Sequence, residues 1–136
     1  MFTLPDDHAA WRLVGAWIAA RQRGDPHAIL TLAVDDARRA TIVDDLDALV
    51  RLAPGPLRTG AELEVEARAR RMDADVIEGL QVSLRGRTEA GPVPSSLTLA
   101  RLERAPDGWR LAALFTDEER SCLAEPAFLQ MLAARP

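Results

Sequence analysis

The stretch Glu62-Leu63-Glu64-Val65-Glu66-Ala67-Arg68-Ala69-Arg70 alternates charged and apolar residues without a break. Successive side chains of a strand point to opposite faces, so a period of two describes a β-strand with one charged and one apolar face. The turn residues Asp73-Ala74-Asp75 follow, and Leu80, Val82 and Leu84 then alternate with Gln81, Ser83, Arg85 and Arg87. With Ala74 and Asp75 as a two-residue turn, Val65 faces Leu84, Ala67 faces Val82, Glu64 faces Arg85 and Glu62 faces Arg87. A four-residue turn keeps the faces and shifts the register. Opposite charges placed across strands in this way contribute roughly 0.2–1 kcal/mol per pair.

A second hairpin follows. Ser96 to Arg104 reads as a strand, Ala105-Pro106-Asp107-Gly108 as a turn, and Trp109 to Phe115 as the returning strand. Glu103 is then opposite Arg110, and Leu102, Leu111, Ala113 and Phe115 share the face of Trp109. Gly91-Pro92-Val93-Pro94 reads as a linker between the hairpins. Beyond them, Thr116-Asp117-Glu118-Glu119 has the pattern of a capping box, in which Thr116 and Glu119 satisfy each other's free amides. Glu125-Pro126 interrupts this tail and restarts a short helix through Phe128, Leu129 and Leu132.

Upstream of the strands the period is helical. A first helix is expected from a cap at Asp6 to Arg23, with Trp11, Leu13, Val14, Trp17 and Ile18 apolar and Gly24 as its stop. Arg12 is the only polar residue between Ala9 and Ala20, so the helix is expected to be covered on more than one side. Asp25-Pro26 marks a restart, with Asp25 as cap and Pro26 in the first turn of a helix that carries Ile29, Leu30, Leu32 and Val34 to Asp35-Asp36. A third, amphipathic helix places Ile42, Leu46, Leu49, Val50 and Ala53 on one face and Asp44, Asp45, Asp47 and Arg51 on the other. Pro54-Gly55-Pro56 ends it.

Composition narrows what such a chain does. Its 136 residues suit a single domain, 1–136, with a core of its own. The 48% hydrophobic and 28% charged content is that of a globular protein, not of a disordered or fibrous one. The net charge of −4 supplies no excess of cations for a phosphate backbone, so no nucleic acid partner is expected. All 17 basic residues are Arg, and Lys, Asn and Tyr are absent. Without Lys there is no Schiff base, and without Tyr no phenol to hold an oxyanion. Cys122 is alone, which excludes an intrachain disulfide and a cysteine-based metal site. The N-terminus does not read as a signal peptide, and the apolar run from Ala9 to Ala20 is too short to span a bilayer. No membrane partner and a cytoplasmic location are the resulting expectations.

Two segments resemble a known superfamily. Trp17-Ile18-Ala19-Ala20-Arg21-Gln22-Arg23-Gly24-Asp25-Pro26, followed by a short apolar helix and Val34-Asp35-Asp36, is similar to the opening of nuclear transport factor 2-like proteins, particularly SnoaL-like polyketide cyclases. Leu97-Thr98-Leu99-Ala100-Arg101-Leu102-Glu103-Arg104, with Gly108-Trp109-Arg110-Leu111-Ala112-Ala113-Leu114 after the turn, resembles their last hairpin. The resemblance implies an α+β, cone-like fold: N-terminal helices packed on a curved antiparallel sheet of about four strands, with a short C-terminal helix. It implies a shortened variant, because Ala37 to Thr41 leaves little room for the hairpin that members usually insert there. It also implies an apolar cavity, a homodimer formed through the sheet face and, in the enzymes of the group, an Asp or His base.

The residues that could fill those roles are few. Asp35, Asp36 and His27 are the candidate bases; a carboxylate buried there would have a raised pKa and could take a proton. Against this, Asp35 and Asp36 also suit a solvated helix end, and His27 a surface position in a first turn. Trp11, Trp17, Trp109 and Phe115 could line a pocket for a hydrophobic small molecule, or could be plain core. Asp44, Asp45 and Asp47 read as solvent-facing charge. Arg68, Arg70, Arg85 and Arg87, mixed with Glu62, Glu64 and Glu66, read as a laddered solvent face, an anion site or a pairing surface. No metal site and no cofactor are expected, since two histidines lack an acidic cluster at ligand spacing and no Gly-rich loop has phosphate-cradling spacing. Ser121 and Cys122 have no histidine nearby to activate them. Two functions remain open: a small-molecule-binding or assembly domain without chemistry, and a cofactor-free cyclase, isomerase or hydrolase that works by proton transfer.

Overall fold

A computed structural model describes residues 1–52, 63–88 and 91–123, with backbone alone at 87–88, 91–95 and 123. Strand β1 (Phe2–Thr3) is followed by α1 (Trp11–Gln22), a 3₁₀ helix (Pro26–Leu32) and α2 (Arg38–Leu52). Then come β2 (Leu63–Ala69), β3 (Arg71–Met72), β4 (Val76–Thr88), β5 (Gly91–Ala105), β6 (Gly108–Ala113) and α3 (Asp117–Leu123). The class is α+β, and the strands form one open antiparallel sheet in the order β1-β2-β4-β5-β6, with β3 paired to β4.

The alternating stretch folds as its period requires. Glu64 lies opposite Arg85, Val65 opposite Leu84 and Ala67 opposite Val82. Ala74 and Asp75 are the two-residue turn: the Asp73 amide donates to the Val76 carbonyl at 2.9 Å, and the Asp73 carboxylate accepts the Asp75 and Val76 amides at 2.9 Å each. Ala67, Ala69, Val82 and Leu84 are buried, while Glu64, Glu66, Arg68 and Arg85 are exposed. Glu62 opposite Arg87 lies outside the described residues.

Three parts of the sheet depart from the reading. Gly91-Pro92-Val93-Pro94 is part of β5, with Pro92 opposite Arg87 and Pro94 opposite Arg85. The pairing of β6 to β5 begins only at Arg101, so this stretch has no described strand on its other side. Proline removes a ladder donor and is tolerated at such an edge. Secondly, β1 pairs with the end of β2, Phe2 opposite Ala69, where the sequence suggests only an approach to a helix. Thirdly, the inward phase slips along one line across the sheet. Ile77 and Leu80 are both buried, three residues apart, and Gly79 between them has φ +62°. On β5 the inward Leu99 and Leu102 slip likewise. On β6, Arg101 faces Ala113 but Leu102 faces Leu111, which leaves Ala112 as an extra residue. One such residue turns every later side chain to the other face. Ala112 and Leu114 are therefore buried, and Ala113 and Phe115 are not on the Trp109 face as the simple alternation predicts.

The first helix begins later than expected, the second begins at Pro26 as expected, and neither has the side-chain cap read for it. Residues before α1 form turns, with the His8 amide donating to Pro5 at 3.0 Å, so Asp6 does not cap α1. Gly24, at φ +71°, ends it in the left-handed conformation a glycine allows. Gly15 and Arg12 stay exposed, so α1 is covered on one broad face rather than all round. Asp25 makes no side-chain cap, and the segment that Pro26 opens is a 3₁₀ helix. Its end is drawn onto the sheet by the Val34 amide, which donates to Leu111 at 2.8 Å beside a parallel Ala33–Leu111 bridge. The capping box forms as read: the Glu119 amide donates to Thr116 Oγ1 at 3.0 Å and the Thr116 amide to Glu119 Oε1 at 3.2 Å. Leu13, Trp17, Ile29, Ile42 and Leu46 from the helices join Leu80, Val82, Leu84, Leu99 and Leu111 from the sheet in one hydrophobic core. Ala53, the Pro54–Pro56 stop and the Glu125-Pro126 restart lie outside the described residues.

Candidate functional site

A well-formed concavity lies where the start of α1, the end of the 3₁₀ helix and the β5–β6 turn converge. Arg12 and Leu13 come from the first turn of α1, Leu32 from the 3₁₀ helix, and Asp107, Trp109 and Arg110 from the hairpin; they line a cleft of about 450 Å³. That volume falls in the roughly 300–1,000 Å³ range of small-molecule sites. Its geometry is fixed from both sides. Gly108, at φ +131°, closes the turn opposite Ala105 and so aims Trp109 back across the sheet. Arg110 donates to the Thr31 carbonyl at 2.9 Å, which pins the 3₁₀ helix against β6. The His8 ring packs 5.3 Å from the Trp109 ring, and His8 Nδ1 accepts the Ala10 amide at 3.0 Å.

Charge in the cleft is unequal. Arg110 is hydrogen-bonded to Asp107, and that bond first, with a small addition from the Arg12 cation, holds the Asp107 carboxyl below the usual carboxylate range. The Arg12 side chain acts on Asp107 only through its charge, and has no hydrogen bond or ion pair among the described residues. Among the described residues, one guanidinium is thus without a hydrogen-bonded partner in a cleft that Leu13, Leu32 and Trp109 also line.

A second, more open groove of about 700 Å³ adjoins it through Asp107 and Arg110, and Asp35, Asp36 and Arg39 line its far side. Asp36 is exposed and caps α2: its Oδ1 accepts the Arg38 amide at 2.9 Å, and its Oδ2 accepts Arg38 Nη2 at 2.8 Å. The Arg38 side-chain bond, then its amide, lowers the Asp36 pKa, opposite to the rise a buried base would need. Asp35 is exposed beside it. His27 lines neither groove; its Nε2 lies 2.8 Å from Asp47 Oδ1, both side chains being about half exposed.

The four aromatic candidates do not gather. Trp17 is 1% exposed inside the core, its Nε1 without a hydrogen-bond partner and Arg21 5.4 Å from its ring. Trp11 donates from Nε1 to the Pro5 carbonyl at 2.7 Å. Trp109 lines the cleft, and Phe115 faces a separate groove of about 280 Å³ near Arg70 and Arg120. The bulge at Ala112 is what parts these last two.

Sequence reasoning missed the buried acid. Asp45, read as solvent-facing, is 3% exposed. Arg120 of α3 grips it with Nε on Oδ1 and Nη2 on Oδ2, each at 3.0 Å. The signal was present: Ile42, Asp45, Leu46 and Leu49 follow the i, i+3, i+4, i+7 spacing of a buried stripe. Also missed was a chain of charge in which Glu103 accepts from Arg38 and from Arg101 at 2.6 Å each, and Arg101 in turn binds Glu78. It ties the cap of α2 to the sheet. The outer-face arginines divide: Arg68 pairs with Glu66 at 2.9 Å, while Arg70 and Arg85 have no ion pair among the described residues.

Ser121 donates to the Asp117 carbonyl at 3.0 Å, and Cys122 is exposed. Among the described residues, no group of three or more His, Cys, Asp or Glu side chains is placed to hold a metal ion, and no helix is long and apolar enough to cross a membrane. No family model, curated protein or solved structure matches this chain.

Proposed function

We propose that this chain is a small-molecule-binding domain that performs no chemistry on its ligand, built as a shortened relative of the nuclear transport factor 2-like superfamily. The observation that carries the binding reading is the 450 Å³ cleft, with Trp109, Leu13 and Leu32 as its apolar floor. Ligand sites are concavities of this size that join apolar surface to a few polar groups, and here apolar and charged side chains share the lining about equally. Order along the chain supports the kinship: helix, short helix and helix precede the main antiparallel strands, and the Ala33–Leu111 bridge joins the two parts just before Asp35-Asp36. The state of the acids favours binding over catalysis. Asp36 is a helix cap with a lowered pKa, and both oxygens of Asp45, the one buried carboxylate among the described residues, are occupied by Arg120.

The three tryptophans, with no tyrosine, make the reading testable by fluorescence. Hydrophobic ring compounds titrated into the protein are expected to give a saturable change. Trp109→Phe should abolish that change, whereas Trp17→Phe, deep in the core, should leave it. Conversion of a bound compound to product that is lost in Asp36→Asn or His27→Gln would replace this reading with the enzymatic one.

A further inference from the structure

We infer that the cleft selects hydrophobic molecules that carry one carboxylate, with Arg12 as the group that recognises the anion. This inference rests on the binding reading above and names the ligand class it would take. Three observations converge on it. About half of the lining is apolar or aromatic, from Leu13, Leu32 and Trp109, which suits a ring or short hydrocarbon body. Arg12 and Arg110 outnumber Asp107 among the charged groups that line the cleft, leaving one net positive charge. Asp107 is committed to Arg110, and Arg110 also to the Thr31 carbonyl, so neither needs the ligand for a partner. Arg12 alone of the three has no side-chain bond to give up among the described residues.

The chemistry of guanidinium explains why a carboxylate fits best. Its planar fork donates two parallel hydrogen bonds to the two oxygens of a carboxylate, and such charge-assisted bidentate pairs are stronger than neutral ones. A neutral amide of the same shape keeps the apolar contacts and loses the second bond and the charge. A dianion would bring a second charge for which the cleft has no free cation among the described residues, beside the Asp107 carboxylate. Arg12 is exposed, so it can turn toward a ligand without breaking any packing.

The test compares 2-naphthoate with 2-naphthamide, followed by tryptophan fluorescence or calorimetry on the full chain at pH 7. The carboxylate is expected to bind at least about tenfold more tightly, a difference of about 1.4 kcal/mol, and added salt should weaken it alone. Arg12→Gln should bring the carboxylate down to the level of the amide and leave the amide unchanged. Arg12→Lys should recover part of the difference, since it restores charge without the fork. Equal affinity of the two probes in the parent protein would overturn the anion inference while the cleft reading stands. Binding of neither probe would overturn both.

Discussion

Asp45 and Glu103 are both clamped by arginine, but one is sealed from water and the other stands at its edge. The side chain of Asp45 is 4% exposed and, among the described residues, meets a single partner, Arg120, through two parallel bonds that lock α2 to α3. Glu103, 25% exposed, sits between Arg38 and Arg101, in a chain that continues to Asp36 on one side and Glu78 on the other. A buried pair contributes little on formation, because desolvation offsets attraction, yet breaking it strands an uncompensated charge. An exposed chain behaves in the opposite way: each link is weak and screened, and loss of one leaves water to replace it. The fold thus contains a contact that fails sharply and a network that fails gradually. Neither carboxylate is free for proton transfer, which is why the same comparison bears on function.

Removing one member of the sealed pair is the most severe way to break the comparison. Arg120→Met leaves Asp45 buried and unpaired and should destabilise the protein by about 3 kcal/mol, the low end for a severed buried pair. Asp45→Asn should cost roughly half as much, because Arg120 is 35% exposed and can turn to water. Urea denaturation of the two variants measures both. Equal costs would mean that the sealed site is wetter than its burial suggests.

The open network yields a smaller effect with a pH signature. Arg38 first, then Arg101, lowers the Glu103 pKa from 4.5 to about 2. A carboxylate depressed in this way adds stability that is complete above its unfolded pKa and is lost as pH falls through the folded one. The full shift, if unscreened, would be worth about 3.4 kcal/mol. Because the Arg38 side chain is 43% exposed, solvent screening reduces this to about 1–2 kcal/mol. Glu103→Gln should lose that amount at pH 7, and the gap between variant and parent should close as pH falls from about 4.5 toward 2. Thermal melts across that window check it; a gap that stays constant would show that Glu103 acts through packing and not through charge.

These two carboxylates also mark what could be read from the chain. The β2–β4 facing was legible because period-two alternation is a local signal, whereas the register stayed open between a two-residue and a four-residue turn until the Asp73–Val76 bond decided it. The capping box of α3 was legible for the same reason. Asp45 was half legible: its place on the apolar stripe follows from spacing, but its partner lies 75 residues away, and any of 17 arginines could have served. The bulge at Ala112 was not legible, since Ala112-Ala113 offers no difference in polarity between the registers. That one residue separated Trp109 from Phe115 and dissolved the aromatic pocket expected of them. The cleft was equally hidden, because Arg12, Leu32 and Trp109 meet only through tertiary packing.

The weakest test sharpens the exposed end of the comparison and reaches a second copy of the chain. Glu66 and Arg68 pair at 2.9 Å on the outer face of β2, with side chains 55% and 56% exposed. Among the described residues they pair only with each other, without the neighbours that surround Glu103, so Arg68→Ala should change stability by no more than about 0.5 kcal/mol. The effect should also be independent of protein concentration. A sheet-to-sheet homodimer predicts otherwise, since it would bury this pair, convert an exposed contact into a sealed one like Asp45–Arg120, and make the melting temperature rise with concentration. Melts of the parent and of Arg68→Ala over a hundredfold range of concentration therefore decide which of the two regimes the face belongs to. A small and constant difference places it with the open network, where water completes what the protein leaves unpaired.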